Sequence, residues 1–104
     1  MKVLENKSTE ITAQATEQTT VLLKYADLIK IVCNTPIQGG FGIPDIKARI
    51  AILAACDSIT PEKDILLENA DTTYLQGIVK SMKWSFFHKD IITFTEDVEK
   101  MKEK

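Results

Sequence analysis

The apolar residues of this chain recur with the spacing of an α-helix in four segments. The first contains a stripe with the i, i+3, i+4, i+7 spacing of one helix face, formed by Tyr25, Leu28, Ile29 and Val32. The second helix is predicted to begin at Pro44, because proline suits the first helical turn. This segment is apolar on nearly all sides, so it predicts the central helix of the fold, with Ile50 and Leu53 almost completely buried.

Two more helices and two short strands are predicted from the same pattern. One helix begins near Asn69, and its apolar stripe consists of Leu75, Ile78, Val79 and Met82. The last helix has Asp90 as a candidate cap, and its stripe consists of Ile91, Phe94, Val98 and Met101. The β-prone runs at residues 21–24 and 65–68 are predicted to pair as antiparallel strands.

These elements predict a mainly α fold. We expect a four-helix single domain over residues 21–104, with a short two-stranded β-ribbon that pairs residues 21–24 with residues 65–68. Residues 1–20 are rich in Thr, Glu, Gln and Lys and contain few large apolar side chains. This composition predicts a polar, flexible N-terminal arm outside the domain.

The composition bears on the cellular compartment of the protein and on the class of partner that it binds. The 104 residues are 44% hydrophobic and 27% charged, as in ordinary globular domains. No apolar run is long enough to span a bilayer, and the first 20 residues lack an apolar signal core, which predicts a cytoplasmic protein without a membrane partner. Cys33 and Cys56 both lie in apolar segments, so they are predicted to be buried free thiols.

Residues 80–90, KSMKWSFFHKD, interleave basic and aromatic side chains. One interpretation is an interaction surface, formed by Trp84, Phe86, Phe87 and His88. The alternative is a nucleic-acid-binding regulator, in which the contacts come from Lys80, Lys83, Trp84 and Lys89. The formal net charge of −2 and the single arginine, Arg49, disfavour nucleic acid as the partner.

Residues 35–45, TPIQGGFGIPD, raise the question of a phosphate-binding loop. The glycines match neither the dinucleotide-binding fingerprint nor the P-loop, because the required spacing and the lysine that follows it are absent. The segment is therefore predicted to be a helix–helix connector that presents Phe41 to the core or to a partner. An oligomeric binder of a nucleotide or another small ligand remains a further alternative.

The chain contains no motif for catalysis, for a metal or for a cofactor. His88 is the only histidine, and neither cysteine has a metal-ligand spacing. We therefore predict a protein that is not an enzyme, with no catalytic, metal-binding or cofactor-binding residue and no cofactor.

Four segments of residues 21–98 resemble small uncharacterised accessory proteins of bacteriophages and prophages: LLKYADLIKIV, GFGIPDIKARIAIL, LLENADTTYLQGIVKSMKW and DIITFTEDV. The resemblance implies a virus or mobile element as the source, and it assigns no functional residue. Together with the apolar second helix and the seven aromatic residues, it predicts a non-catalytic, self-associating protein-interaction module, an accessory or virion-associated component of a phage. The expected partner is a second copy of the chain or another protein.

Overall fold

The computed structural model describes residues 1–14, 20–58, 63–84 and 86–103. Within these residues the chain forms four helices, α1 (Tyr25–Asn34), α2 (Ile43–Asp57), α3 (Asn69–Ser81) and α4 (Lys89–Glu99). It also forms five strands, β1 (Lys2–Leu4), β2 (Ser8–Gln14), β3 (Thr20–Lys24), β4 (Ile65–Leu67) and β5 (Lys102–Glu103). None of the described helices has the length and apolar character that crossing a bilayer requires.

The predicted mainly α fold is wrong, because the strands form two small antiparallel sheets beside the helices. One sheet has the strand order β4-β1-β5, and the other consists of β2 and β3. Both β-prone runs do form strands, but they do not pair with each other. Leu22 of β3 lies opposite Thr12 of β2, and Leu66 of β4 lies opposite Val3 of β1.

The predicted flexible N-terminal arm is also wrong where the structure describes it. Residues 2–4 and 8–14 are strands, and Leu4, Thr9 and Ile11 are buried. Side chains on alternate positions of a strand point to one face, so Thr9 and Ile11 share the face that turns toward the core. Residues 15–19 of the predicted arm lie outside the described residues.

Helix α1, rather than α2, occupies the centre of the hydrophobic core. All four residues of its predicted stripe are buried, and Leu28 and Ile29 have no exposed surface. The ring of Tyr25 packs edge-on against Phe94 of α4, with 5.1 Å between the ring centroids. The stripe of α1 is confirmed, and that of α4 is confirmed for Ile91, Phe94 and Val98. Met101 is buried as well, but it lies beyond Glu99, where α4 ends.

The prediction that α2 is buried on all sides is wrong. Ile50 is 62% exposed and Leu53 is only partly buried, whereas Ile52 and Cys56 on the opposite side of the helix are buried. The composition of α2 is apolar nearly all round, but only one side of the helix packs on the rest of the protein. The other side remains at the surface.

The two cysteines are buried and free, as predicted. Burial raises the pKa of the Cys33 thiol to about 11 and that of the Cys56 thiol to about 12. Cysteines in an unfolded chain titrate near 8.5, so above that pH the unfolded state releases protons that the folded state retains. The free energy of unfolding must therefore fall as the pH rises from about 8.5 toward 11.

We expect the two thiols to lower the free energy of unfolding by about 2 to 3 kcal/mol between about pH 7.5 and pH 9.5. Urea denaturation at the two pH values measures this difference. A Cys33→Ala/Cys56→Ala variant is the control and should lose most of the pH dependence. A wild-type stability that is equal at both pH values would contradict the burial of the thiols.

Candidate functional site

The exposed side of α2 is an apolar surface, which we call the α2 face and define by Ile43, Ile46, Lys47, Ile50, Ala51, Ala54 and Asp57. Ile43 is 64% exposed, and Ile46 and Ile50 are exposed as well. Large aliphatic side chains are usually buried, and three of them on one side of a single helix form an unusual surface. The α2 face is therefore the first candidate for a functional surface.

The two charges of the α2 face lie toward opposite ends of it. Its central line runs along the helix at spacings of four and three residues, through Ile43, Lys47, Ile50, Ala54 and Asp57. All five of these residues are exposed. One carboxylate oxygen of Asp57 lies 2.9 Å from the ammonium group of Lys30, while Lys47 has no ion pair with a described residue.

On the opposite side of α2, the guanidinium of Arg49 joins three helices. Its Nη1 donates hydrogen bonds to the backbone carbonyls of Val32 and Cys33, at 3.1 and 2.9 Å, and more weakly to that of Thr35 at 3.4 Å. Its Nε donates to the hydroxyl of Tyr74 on α3, at 3.0 Å. The last carbonyls of a helix lack intrahelical partners and carry partial negative charge, so the cation stabilises the C-terminus of α1.

A chain of hydrogen bonds continues from Arg49 to the first turn of α2. The Tyr74 hydroxyl donates to Oδ1 of Asp45 at 2.9 Å, and Oδ2 of Asp45 accepts the backbone N–H of Gly42 at 3.1 Å. Burial raises the pKa of the Tyr74 hydroxyl above its ordinary value, a rise that Arg49 opposes and Asp45 increases. The hydroxyl therefore stays protonated and links a cation to a carboxylate.

The loop between α1 and α2 carries Phe41 onto Arg49. Gly39 and Gly40 have φ angles of +89° and +87°, a region that favours glycine because a Cβ is costly there. The Phe41 ring then lies over the guanidinium of Arg49, with 4.8 Å from Cζ to the ring centroid, and stays partly exposed. This contact is a cation–π interaction. Phe41 therefore covers a residue of its own chain, and its predicted contact with a partner stays a prediction.

Next to Arg49 the structure has a hollow of about 450 Å³, which we call the Arg49 hollow. It lies between the end of α1, residues 35–38 of the loop and the last turn of α3. Its lining combines two cations with hydroxyl and apolar groups, from Val32, Thr35, Pro36, Ile37, Gln38, Arg49, Ile78, Ser81, Met82 and Lys83.

The aromatic segment predicted as an interaction surface divides into buried and exposed parts. Trp84 is half-buried, and its ring packs edge-on against Phe94 of the core and against Phe86. Phe87 is 98% exposed, and Phe86 and Ile92 are exposed as well. Together with His88 and Lys89 they surround a shallow hollow of about 380 Å³. The segment is a second apolar surface, and its role in binding stays a prediction.

His88 takes the N-cap position of α4 that was predicted for Asp90. It is the N-cap of α4, where its Nδ1 accepts the backbone N–H of Asp90 at 3.0 Å. The predicted cap, Asp90, instead accepts the backbone N–H of Glu10 at 2.7 Å and so attaches β2 to α4. One potential ligand atom from each of these three residues lies within 4.8 Å of the others. All three residues already have partners within the protein, because Glu10 also forms a 3.3 Å ion pair with Lys89.

The residues of the nucleic-acid alternative have different surroundings in the structure. Lys80 and Lys83 are exposed, but Lys89 pairs with Glu10. Trp84 is the aromatic member of the set, and its contact with Phe94 holds it against the core. Nucleic-acid binding by these four residues stays a prediction.

The site that sequence reasoning missed is the group formed by Arg49, Tyr74 and Asp45. A signal for it was present, since Arg49 is the only charge between Ala48 and Cys56 in an otherwise apolar helix. A lone arginine there needs acceptors when it is buried, and the C-terminus of a neighbouring helix supplies them.

Comparison with known proteins does not extend this description. No family model matches the chain, and no curated protein or solved structure is significantly similar to it.

Proposed function

We propose that this protein is a non-catalytic interaction module that associates with a second copy of itself through the α2 face. The observation that carries the proposal is the exposure of Ile43, Ile46 and Ile50 on one side of α2. Removing an aliphatic side chain from water contributes about 1.5 to 3 kcal/mol when burial is complete. A partner that covers these three isoleucines therefore gains a substantial part of its binding free energy from them.

The charges of the α2 face favour a second copy as that partner. In an antiparallel pair of α2 helices, Lys47 of each copy comes opposite Asp57 of the other when Ile50 comes opposite Ala54. This register pairs Lys47 with Asp57 at both ends of the overlap and places a large side chain against a small one in the middle, while Ile43 lies beyond the last residue of the partner's α2. The arrangement has twofold symmetry, in which one surface binds itself.

The size of the α2 face sets the expected affinity. Its apolar part is on the order of 300 Å², which is less than the roughly 800 Å² that each partner contributes to a standard interface. We therefore expect a weak dimer, with a dissociation constant on the order of 10 to 100 µM.

The substitution Ile50→Lys tests this interface. A lysine at the centre of the α2 face places a charge against an apolar surface, so we expect the dimer to weaken by at least about thirtyfold, or 2 kcal/mol. Sedimentation velocity over a range of concentrations measures the change. Because Ile50 is 62% exposed, the variant should fold as the wild type does.

The matched control is Ile92→Lys on α4, since Ile92 is 64% exposed and lies on the other apolar surface. This variant should dimerise like the wild type. A wild type that stays monomeric up to about 1 mM would contradict self-association. If Ile92→Lys dissociated the dimer and Ile50→Lys did not, the interface would lie at the Phe86–Phe87 surface instead.

The proposal includes a cytoplasmic role as an accessory or virion-associated component of a bacteriophage or prophage. The support for this part is the resemblance of residues 21–98 to such proteins. The genes that flank the coding sequence test it, because capsid or tail genes would agree with a phage component, and a setting of housekeeping genes would contradict it.

A further inference from the structure

We propose that the Arg49 hollow binds a small organic molecule with an anionic oxygen head group, a carboxylate or a phosphate. This proposal goes beyond self-association, because the hollow lies on the side of α2 opposite the α2 face. It rests on an incompletely neutralised cation, on the charges around it and on the apolar walls beside it.

The guanidinium of Arg49 lacks a direct anionic partner. The residue is only 6% exposed, and none of the ion pairs among the described residues involves it. Its hydrogen bonds go to carbonyl oxygens and a hydroxyl, which are neutral acceptors. Buried charges in proteins are usually paired with an opposite charge. The first carboxylate, that of Asp45, is separated from Arg49 by Tyr74.

One nitrogen of Arg49 is available to a ligand. Nε and Nη1 donate the hydrogen bonds described above, whereas Nη2 donates none to the described residues. No fully buried side-chain nitrogen or oxygen of the described part of the chain lacks a partner, so Nη2 must reach solvent. Arg49 is also one of the residues that line the Arg49 hollow. A guanidinium with a free donor beside such a space is suited to an oxyanion.

The other residues of the Arg49 hollow agree with an anionic ligand. Lys83 adds a second cation, Ser81 adds a hydroxyl, and none of the described lining residues is acidic. Val32, Ile37 and Met82 provide apolar walls for an organic body. The volume of about 450 Å³ suits more than one aromatic ring, since a cavity of about 150 Å³ already holds benzene.

Phenyl phosphate and benzoate are the probes, and benzamide is the uncharged control of similar shape. We expect at least one of the two anions to raise the melting temperature in a concentration-dependent way, because a ligand that binds only the folded state stabilises it. Benzamide should cause no comparable rise. A response to phenyl phosphate alone or to benzoate alone supports the proposal and identifies the head group.

Two lysine variants locate the binding site without altering Arg49. Lys83→Glu changes the charge at the Arg49 hollow and should weaken binding of the responding anion by at least about tenfold. Lys80→Glu makes the same change of charge on an exposed residue of α3 that does not line the hollow, and it should alter the affinity by less than about twofold. In ¹H–¹⁵N spectra, the anion should shift the amide signals of Ile37, Ser81 and Met82.

Three results would overturn the proposal. The first is the absence of any thermal shift with either anion up to about 20 mM. The second is an equal shift with benzamide, which would show that the charge is irrelevant. The third is an equal loss of affinity in Lys80→Glu and Lys83→Glu, which would show attraction by the general surface charge. Because Lys83 lies outside the α2 face, these results are independent of the oligomeric state.

Discussion

Arg49→Met is expected to lower the free energy of unfolding by about 3 to 5 kcal/mol, because hydrogen bonds from a charged donor contribute about 1.5 to 3 kcal/mol each. Methionine retains the apolar stem of the side chain but cannot donate to the carbonyls of Val32 and Cys33 or to the Tyr74 hydroxyl. The C-terminus of α1 loses its nearest positive charge as well. Urea denaturation followed by circular dichroism measures the loss.

Arg49→Lys is the matched variant for this prediction. It keeps the positive charge but has one nitrogen in place of a planar fork, so it cannot reach the end of α1 and Tyr74 together. We expect a loss of stability smaller than that of Arg49→Met but still larger than about 1 kcal/mol. An Arg49→Met protein within about 1 kcal/mol of the wild type would contradict the role of Arg49 in joining the helices.

Leu28→Ala is expected to cost about 2 to 5 kcal/mol, the range for truncating a fully buried leucine. Leu28 has no exposed surface, and it lies on the helix that occupies the centre of the core. The truncation leaves a cavity that the surrounding side chains fill only in part. Thermal and urea denaturation both report the loss, which is a large fraction of the 5 to 15 kcal/mol typical of a domain.

The same substitution on α2, Leu53→Ala, is the control for Leu28→Ala. Leu53 is only partly buried at the edge of the core, so its truncation should cost clearly less than that of Leu28. If Leu53→Ala were the more destabilising of the two, α2 would be the central helix after all. The comparison changes only the position of the leucine, since the same atoms are removed in both variants.

The sequence predicts where each helix lies along the chain better than it predicts which side of the helix is buried. Tyr25, Leu28, Ile29 and Val32 give α1 a clear apolar stripe, and the structure buries all four. In α2 the apolar residues surround the helix, so periodicity could not indicate which side packs inward. The side that packs inward is set by tertiary contacts, among them the hydrogen bonds from Arg49 to the end of α1 and the burial of Ile52.

The pairing of the strands could not be predicted from the sequence, for a different reason. Residues 8–14, STEITAQ, contain a single large apolar side chain, Ile11, and their composition resembles that of a solvated segment. The alternation of Thr9 and Ile11 with Ser8 and Glu10 is a weak strand signal, and it is the feature that could have identified β2. In the structure β2 pairs with β3, and β4 pairs with β1.

For the candidate sites as well, the sequence indicates individual residues but not what surrounds them in the folded protein. Phe41 and Phe87 could be selected from sequence because aromatic residues near glycines or lysines are conspicuous. Their surroundings could not be predicted: Phe41 covers Arg49 of its own chain, whereas Phe87 is almost entirely exposed. The exposure of Ile43 and Ile50 contradicts the usual preference of isoleucine for the interior, and only the structure could reveal it.

The central claim, association of two copies through the α2 face, is tested most directly by an isotope-filtered NOE spectrum of mixed ¹³C-labelled and unlabelled protein. Only contacts between different copies produce cross-peaks in this experiment. We predict cross-peaks between the methyl groups of Ile50 in one copy and Ala54 in the other, as the antiparallel register requires. Intermolecular cross-peaks confined to Phe87 and Ile92, or none at a concentration at which sedimentation shows a dimer, would contradict the claim.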